Sequence, residues 1–168
     1  ELDNCDTKKV EKLVSNQQSK FHPNSYALQT PMSPHAAAEI DGIEIDLLKI
    51  VSPKTKNHLV IEGAGGLLVP LNDSQTILDL IKPDYNVIVV SRHYLGSINH
   101  TLLTIKLLQE KGFHVSIIFS GAENKTSEEI IKKMTTISVI GRIEEEPYFD
   151  TNVIREYAAL FREKLEEL

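Results

Sequence analysis

The sequence predicts an α/β fold in which helices cover both faces of a parallel sheet. Short runs rich in β-branched and aliphatic residues, at 59–61, 86–91 and 115–120, are typical of strands that are buried on both faces. Segments whose apolar residues recur at helical spacing separate these runs. Because strands that alternate with helices become parallel neighbours, the order of the segments predicts the parallel sheet.

Three helices are predicted in the amino-terminal part, with a polar and then an extended segment between the first two. The candidate caps Asp3, Asn4 and Asp6 favour a helix over 3–13. Pro34 or Ser33 can begin a second helix, since proline suits the first helical turn, and the turn at Asp41 and Gly42 ends it. The spacing of the leucines in 43–51 predicts a third helix.

The remaining elements alternate in type. After the strand at 59–61, Asp73 can cap a helix that Pro83 ends. The elements that follow are a strand over 86–91, a helix over 98–111, a strand over 115–120, a short helix opened by Thr126 and Ser127, a strand over 138–143 and an amphipathic helix from Asp150.

Glu62 is the first candidate for chemistry, because it follows the predicted strand at 59–61 directly. A carboxylate at the carboxyl end of a central strand faces the crevice in which open α/β sheets bind ligands, and carboxylate oxygens suit Mg²⁺. Gly63, Gly65 and Gly66 let the backbone approach a ligand and offer N–H groups to an anion. The alternative interpretation is a strand that ends in an ordinary Gly-rich turn.

The composition excludes several other classes. With 18 basic and 24 acidic residues the net charge is −6, which gives no electrostatic reason to bind nucleic acid or an anionic membrane. No apolar run approaches the roughly 20 residues of a membrane span. A single cysteine, Cys5, fits a reducing compartment, so the protein is expected to be cytoplasmic. The six histidines show no spacing typical of zinc ligands.

Three segments taken together resemble one enzyme family. VIEGAGGLLVPL at 60–71, SRHYLGSINHTLLT at 91–104 and TPMSPHAAA at 30–38 closely resemble dethiobiotin synthase, a biotin-pathway enzyme. The resemblance implies a P-loop NTPase-like fold and an ATP- and Mg²⁺-dependent ligase that works as a homodimer. In that family an amine of 7,8-diaminononanoate takes up CO₂, ATP phosphorylates the resulting carbamate, and the second amine closes the ring of dethiobiotin.

The resemblance also implies roles for individual residues. Glu62 and Asp6 would be the Mg²⁺ ligands, and the backbone of Gly65 would approach the substrate. A loop that reaches the diamine across the dimer interface would contain Leu95, Gly96 and Asn99. The family's adenine-reading Asn falls on Ser120, and its Gly-x-Ile-Pro segment falls on 141–144, where Arg142 and Glu144 depart from the pattern. His100 is given no role.

The main departure from the family concerns the phosphate loop. The sequence contains no G-x-x-x-x-G-K-[ST] motif and no Gly-Lys pair, so neither the P-loop Lys nor the substrate-strand Lys can be assigned and no catalytic residue is named. In the family these groups belong to a first strand-helix-strand unit of about 30 residues. We therefore expect residues 1–168 to be a single dethiobiotin-synthase-like domain that is incomplete at its amino terminus.

Two other functions stay open on the sequence. The chain can be a non-catalytic relative that keeps the dimer surface and the diamine pocket but binds no nucleotide. It can also keep the P-loop fold with another substrate, as in amidoligases or partition-type ATPases, although LGSINH argues against this because that loop serves the diamine in the family.

Overall fold

The computed structural model describes residues 6–168, and the elements in them alternate as predicted from residue 86 onwards. The candidate caps Asp3 and Asn4 and the single cysteine, Cys5, lie outside the described residues. The helices and strands are α1 (Asp6–Leu13), α2 (Pro34–Asp41), β1 (Asn86–Arg92), α3 (Ser97–Glu110), β2 (His114–Ser120), α4 (Lys125–Thr135), β3 (Ser138–Ile143) and α5 (Thr151–Glu166). No helix within these residues is both long enough and apolar enough to cross a membrane.

The chain divides into two units. One unit is Lys20–Lys82, and the other consists of Pro83–Leu168 together with the amino-terminal residues up to Ser19. The sheet belongs to the second unit, which we call the sheet unit, and α2 belongs to the first, which we call the α2 unit. The single-domain organisation stays a prediction.

The sheet is parallel, with the strand order β1-β2-β3. Val89 lies opposite Ile117, and Ser91 lies opposite Phe119, so alternate residues of β1 and β2 share one face. That face packs against α3 and α4 in a core of four fully buried side chains, which are Ile105, Ile117, Phe119 and Ile131. The predicted parallel α/β sheet is therefore confirmed.

A bulge in β3 sets which residues α5 covers. Ile117 pairs with Val139, but Ile118 pairs with Gly141, so Ile140 is the extra residue. Gly141 therefore lies on the sheet face opposite α3 and α4, where the ring of Phe161 from α5 covers it. Helices lie on both faces of the sheet, as predicted.

The second face of β1 differs from the prediction. The run 86–91 predicted a strand buried on both sides, yet Val90 is 64% exposed and Ile88 is 37% exposed. Both residues lie on the α5 face of the sheet, and α5 packs mainly on β3. A continuous apolar run predicts that a strand can be covered on both faces, but the covering elements must come from elsewhere in the chain.

The α2 unit has its own small core, formed by Ala38, Ile45, Leu71 and Ile77. The helix α2 begins at Pro34, as predicted, and ends at Gly42, whose φ of 66° is left-handed. The carboxylate of Asp41 accepts hydrogen bonds from the backbone N–H of Gln29 (2.6 Å) and the hydroxyl of Thr30 (2.7 Å). These bonds attach the segment before α2 to the end of the helix.

Two predicted helices in this unit are wrong or shorter than expected. Residues 43–51 form only a 3₁₀ turn at Leu47–Lys49, because Ile43, Ile45 and Leu47 reach the core in an alternating pattern while Leu48 is 89% exposed. The helix predicted from Asp73 is a 3₁₀ turn at Ile77–Leu80. Its start is fixed instead by Asp79, which accepts hydrogen bonds from the N–H and the hydroxyl of Thr76.

The strand predicted at 59–61 is also wrong for the described residues. Val60 is 92% exposed, and these residues pair with no strand within 6–168. A strand exists only where a neighbouring strand accepts and donates its backbone hydrogen bonds. The aliphatic run therefore indicates that residues 59–61 can form a strand, but no strand among the described residues pairs with them.

Candidate functional site

An open cleft lies at the carboxyl ends of β1 and β2. It has a volume of about 760 Å³ and is lined by residues 93–99 and by Leu102, Asn124 and Ser127. The first of these segments follows β1 directly, and Asn124 and Ser127 lie where β2 leads into α4. Because parallel strands end at one edge of the sheet, this is the edge at which α/β proteins bind ligands.

The wall of the cleft is formed by the turn from β1 into α3. Gly96 caps α3 with a φ of 100°, and a Cβ there would contact nothing, so its backbone conformation is what calls for glycine. The carbonyl of Tyr94 accepts a hydrogen bond from the N–H of Ser97 (3.0 Å), and the Tyr94 hydroxyl lies 2.7 Å from Nδ1 of His100. These contacts close the turn around Leu95, whose side chain is fully exposed.

The cleft contains the three residues predicted to bind the substrate through this loop. Leu95, Gly96 and Asn99 all line it. The first turn of α3 faces the same space, and the amino-terminal end of a helix carries partial positive charge that favours an anionic group. The buried hydrogen bond between Ser91 and Thr101 (2.8 Å) fixes α3 to β1 behind the cleft.

A buried charged cluster lies beside the cleft. Glu128, in the first turn of α4, is only 6% exposed. Its carboxylate pairs with Nη2 of Arg142 from β3 (2.5 and 2.6 Å to its two oxygens) and with Nε2 of His93 (2.9 Å). The ring of His93 also stacks on Phe119, with 5.7 Å between the ring centroids. One carboxylate therefore connects the ends of β1 and β3 through α4.

The hydrogen-bond partners of Glu128 favour the ionised form of its carboxyl group. Burial raises the pKa of the Glu128 carboxyl, but the hydrogen bonds from Arg142 and His93 and from the N–H of Asn124 outweigh burial, so the pKa lies below its ordinary value. Glu128 is therefore ionised at neutral pH. Two further buried nitrogens of the cluster, Nδ1 of His93 and Nη1 of Arg142, have no hydrogen-bond partner within the described residues.

The predicted nucleotide-binding residue lies at the end of β2. Ser120 is half-buried and sits in register between Arg92 of β1 and Ile143 of β3. The N–H of the next residue, Gly121, donates to the carbonyl of Ile143 (2.8 Å). Ser120 is thus at the ligand-binding edge, and its role in reading a base stays a prediction.

The remaining predicted residues are found in separate units. Glu62 and Gly65 belong to the α2 unit, where Glu62 is exposed and Gly65 has a φ of 87°. Asp6 belongs to the sheet unit, begins α1 and forms an exposed ion pair with Lys9 (3.0 Å). The shared metal site of Glu62 and Asp6 stays a prediction.

Both carboxylates fit the demands of Mg²⁺. This ion is held in nucleotide enzymes by one or two carboxylates together with phosphate oxygens and water, so an exposed acid beside a Gly-rich turn is a suitable donor. Within residues 6–168 there is no group of three or more His, Cys, Asp or Glu side chains that could hold a metal by themselves.

Sequence reasoning missed four residues of this region, which are His93, Asn124, Ser127 and Glu128. Thr126 and Ser127 were predicted to open α4, but its cap is Asn124, whose side chain accepts a hydrogen bond from the N–H of Ser127 (3.1 Å). The sequence position of Glu128, in the first turn of a helix, is that of an ordinary solvated acid. The only available signal was position, because all four residues follow β1 or β2.

Comparison with known proteins identifies the chain. A family model described as an AAA domain matches residues 1–152. Together with the parallel sheet, this match defines an α/β protein of the P-loop NTPase-like class.

The particular family follows from closer relatives. The chain is 58% identical, over its whole length and 82% of the relative, to the ATP-dependent dethiobiotin synthetase BioD of Christiangramia forsetii. It is 45% identical to that of Cytophaga hutchinsonii, with 94% of this chain and 78% of the relative covered. It is also 41% identical to that of Nitrobacter hamburgensis, with 84% and 68% covered. The chain belongs to the dethiobiotin synthetase family.

Proposed function

We propose that this protein is a dethiobiotin synthetase that uses ATP to carboxylate 7,8-diaminononanoate with CO₂ and close the ureido ring. The names of its relatives support this activity. The structural observation that carries the proposal is the cleft, which Leu95, Gly96 and Asn99 line together at the start of α3. The sequence resemblance assigned these three residues to the substrate loop.

The lining of the cleft suits the chemistry of the substrate. 7,8-Diaminononanoate has an alkyl chain with a carboxylate at one end and two amines near the other. Leu95, Ile98 and Leu102 offer apolar surface for the alkyl chain, and the N–H groups at the start of α3 favour the carboxylate. The side-chain amide of Asn99 can hold a polar end of the substrate. The cleft can contribute mainly by orienting the two amines, because ring closure depends on how the reacting groups are positioned.

Mg²⁺ would be held by the carboxylates of Glu62 and Asp6. When bound, the metal offsets the negative charge that develops during phosphoryl transfer. Gly65 would bring its backbone close to the substrate, which its positive φ permits without a side chain in the way. Ser120 at the end of β2 would contact the nucleotide base.

A homodimer in the cytoplasm completes the proposal. Leu95 and Tyr94 are exposed in the turn before α3, and Leu103 is exposed on the outer side of α3. Contact with a second copy would remove these apolar side chains from water. The same contact would bring the loop of one copy to the substrate of the other, as the family resemblance implies.

The test is ATP-dependent incorporation of labelled bicarbonate into 7,8-diaminononanoate by the full-length native protein, with Mg²⁺ present. A labelled cyclic urea that requires both ATP and the diamine is expected. ATP hydrolysis without labelled product would indicate a P-loop enzyme with another substrate. Folded protein with neither activity would favour the non-catalytic relative and contradict the proposal.

A further inference from the structure

The cluster of Glu128, His93 and Arg142 does more than neutralise buried charge. Glu128 does not line the cleft, but His93, Asn124 and Ser127 do, and two of these contact Glu128 directly. Asn124 donates its backbone N–H to Oε1 of Glu128 (3.3 Å), and this is the oxygen that also contacts His93. The carboxylate thus joins both sides of the cleft from behind.

His93 is held on more than one side. Its Nε2 lies 2.9 Å from Glu128, and its ring face stacks on Phe119, a fully buried residue of the sheet core. The residues that follow, Tyr94 to Gly96, are exposed. His93 therefore fixes the start of the turn to the sheet core, while the contacts of Tyr94 with Ser97 and His100 close the turn against α3.

Glu128 is in turn fixed by Arg142. The guanidinium binds both carboxylate oxygens through Nη2, and its Nε contacts Glu144 at 3.1 Å. Rotation of the carboxylate away from His93 would break a hydrogen-bonded ion pair in a buried place, which is costly because a charge would be left uncompensated. The direction of the Glu128 side chain is therefore set before any ligand binds.

We propose that Glu128 is a positioning residue, which acts through His93 to hold the loop at 93–99 in the conformation that receives the diamine. The inference rests on the proposed function for its substrate and on the geometry of the cluster for its mechanism. Loss of the contact leaves the fold of the sheet intact but lets the turn move. A loop displaced by about 1 Å binds and orients its substrate less well.

The experiment uses Glu128→Gln, His93→Phe and the double variant in the full-length native protein. His93→Phe keeps an aromatic ring for stacking on Phe119 but removes the nitrogen that faces Glu128. Each single variant is expected to raise the KM for 7,8-diaminononanoate roughly tenfold, with the KM for ATP little changed. The double variant is expected to show no further increase, since the two residues act through one contact. Amide hydrogen exchange at 94–99 should become faster in all three.

Matched controls are Glu129→Gln and His114→Phe. Glu129 is the exposed neighbour of Glu128 on α4, and His114 is exposed at the opposite end of β2. Both controls are expected to leave the two KM values and the exchange of 94–99 unchanged. If Glu128→Gln does not fold, Glu128→Asp takes its place, because it keeps the charge but shortens its reach.

Several results would overturn the inference. An effect of His93→Phe without one of Glu128→Gln would mean that His93 contacts the substrate by itself. Faster exchange with an unchanged KM for the diamine would leave Glu128 with a structural role only. If neither the exchange nor the KM changes, Glu128 neither holds the loop nor affects substrate binding. If the parent protein makes no dethiobiotin, the proposed function fails. In that case hydrogen exchange at 94–99 tests the role of Glu128 separately. Unchanged exchange in Glu128→Gln would show that Glu128 does not hold the loop. Faster exchange would support its role in holding the loop.

Discussion

At the scale of single residues, Gly141 shows how the bulge in β3 depends on one missing side chain. A Cβ at this position would lie 2.3 Å from Cε1 of Phe161 and 2.9 Å from its Cδ1. Atoms that are not bonded cannot approach so closely, so either the ring or the strand would have to shift. Glycine at 141 is therefore required by packing, since its φ is not left-handed.

We predict that Gly141→Ala lowers the free energy of unfolding by about 1–3 kcal/mol, because it overpacks the contact between β3 and α5. Chemical denaturation measures the loss. The matched control is Gly66→Ala, where the nearest side-chain atom is 4.0 Å from the added Cβ. Since Phe161 causes the clash, Gly141→Ala should cost less in a Phe161→Leu background. An equal cost in both backgrounds would show that the ring is not responsible.

Glu128 predicts an acid-sensitive contribution to stability. Its pKa is lowered in the folded protein, so the unfolded chain, with an ordinary value of about 4.3, takes up the proton first. The contribution is present above that pH and is lost as the pH falls through it toward the folded-state pKa.

The measurement is the free energy of unfolding of the parent protein and of Glu128→Gln as the pH is lowered. The difference between the two proteins is expected to shrink below about pH 4.3, because protonation abolishes the charge that the substitution removes. Glu129→Gln, an exposed neighbour, should show no such convergence. A difference that stays constant with pH would rule out ionised Glu128 as the source.

At the scale of elements, α5 begins at a single strong cap. The carboxylate of Asp150 accepts hydrogen bonds from the N–H groups of Asn152 (2.8 Å) and Val153 (2.9 Å). The same helix holds the segment after β3, because the hydroxyl of Tyr157 donates to Glu146 (2.6 Å) and accepts from the N–H of Glu144 (2.9 Å). The start of α5 therefore also positions the residues that leave the sheet at its ligand-binding edge.

Asp150→Ala is expected to destabilise the protein by about 1 kcal/mol, since two N–H groups at the start of the helix lose their acceptor. Denaturant titration followed by circular dichroism measures this. Glu156→Ala, an exposed substitution within α5, provides the comparison and should have a much smaller effect. Equal effects would show that loss of the capping hydrogen bonds is not the source of the destabilisation.

At the scale of the whole molecule, dimerisation through the outer side of α3 can be tested directly. Leu103 is 62% exposed there. We predict that Leu103→Asp shifts the protein from dimer to monomer in sedimentation velocity, because a charge in an apolar interface must be desolvated without a partner. Leu160→Asp changes a similarly exposed leucine of α5 and should leave the dimer intact. The assignment fails if the two variants sediment alike.

Turnover is also a property of the whole molecule, because it needs nucleotide, metal and substrate together. Glu62→Gln is expected to lower turnover at limiting Mg²⁺, with partial recovery at higher Mg²⁺, since the amide is a weaker ligand than the carboxylate. Glu44→Gln, at an exposed position of the same unit, serves as the comparison. Full activity of Glu62→Gln at low Mg²⁺ would remove Glu62 from the metal site.

Local sequence patterns determined much of this protein. The bounds of β1, α3, β2 and β3 follow from short apolar runs and the glycines or polar residues beside them, because these preferences act within a few residues. The start of α5 at Asp150 and the end of α2 at Gly42 likewise depend on hydrogen bonds formed locally. The motif at 91–104 also led to the family, since it combines residues that lie together in one cleft.

The tertiary structure decided what depends on distant partners. Leu59 to Ile61 have the composition of a strand, but a strand forms only beside another, and the described residues give them none. Glu128 has the sequence position of a solvated helix-start acid, yet it pairs with Arg142 of β3 and with His93, the residue that follows β1. The extra residue at Ile140 is likewise invisible in the sequence, because a bulge is defined only by the strand opposite. The periodicity of a segment indicates which of its faces can be buried. Which residues bury that face, or form ion pairs with it, depends on the fold of the whole chain.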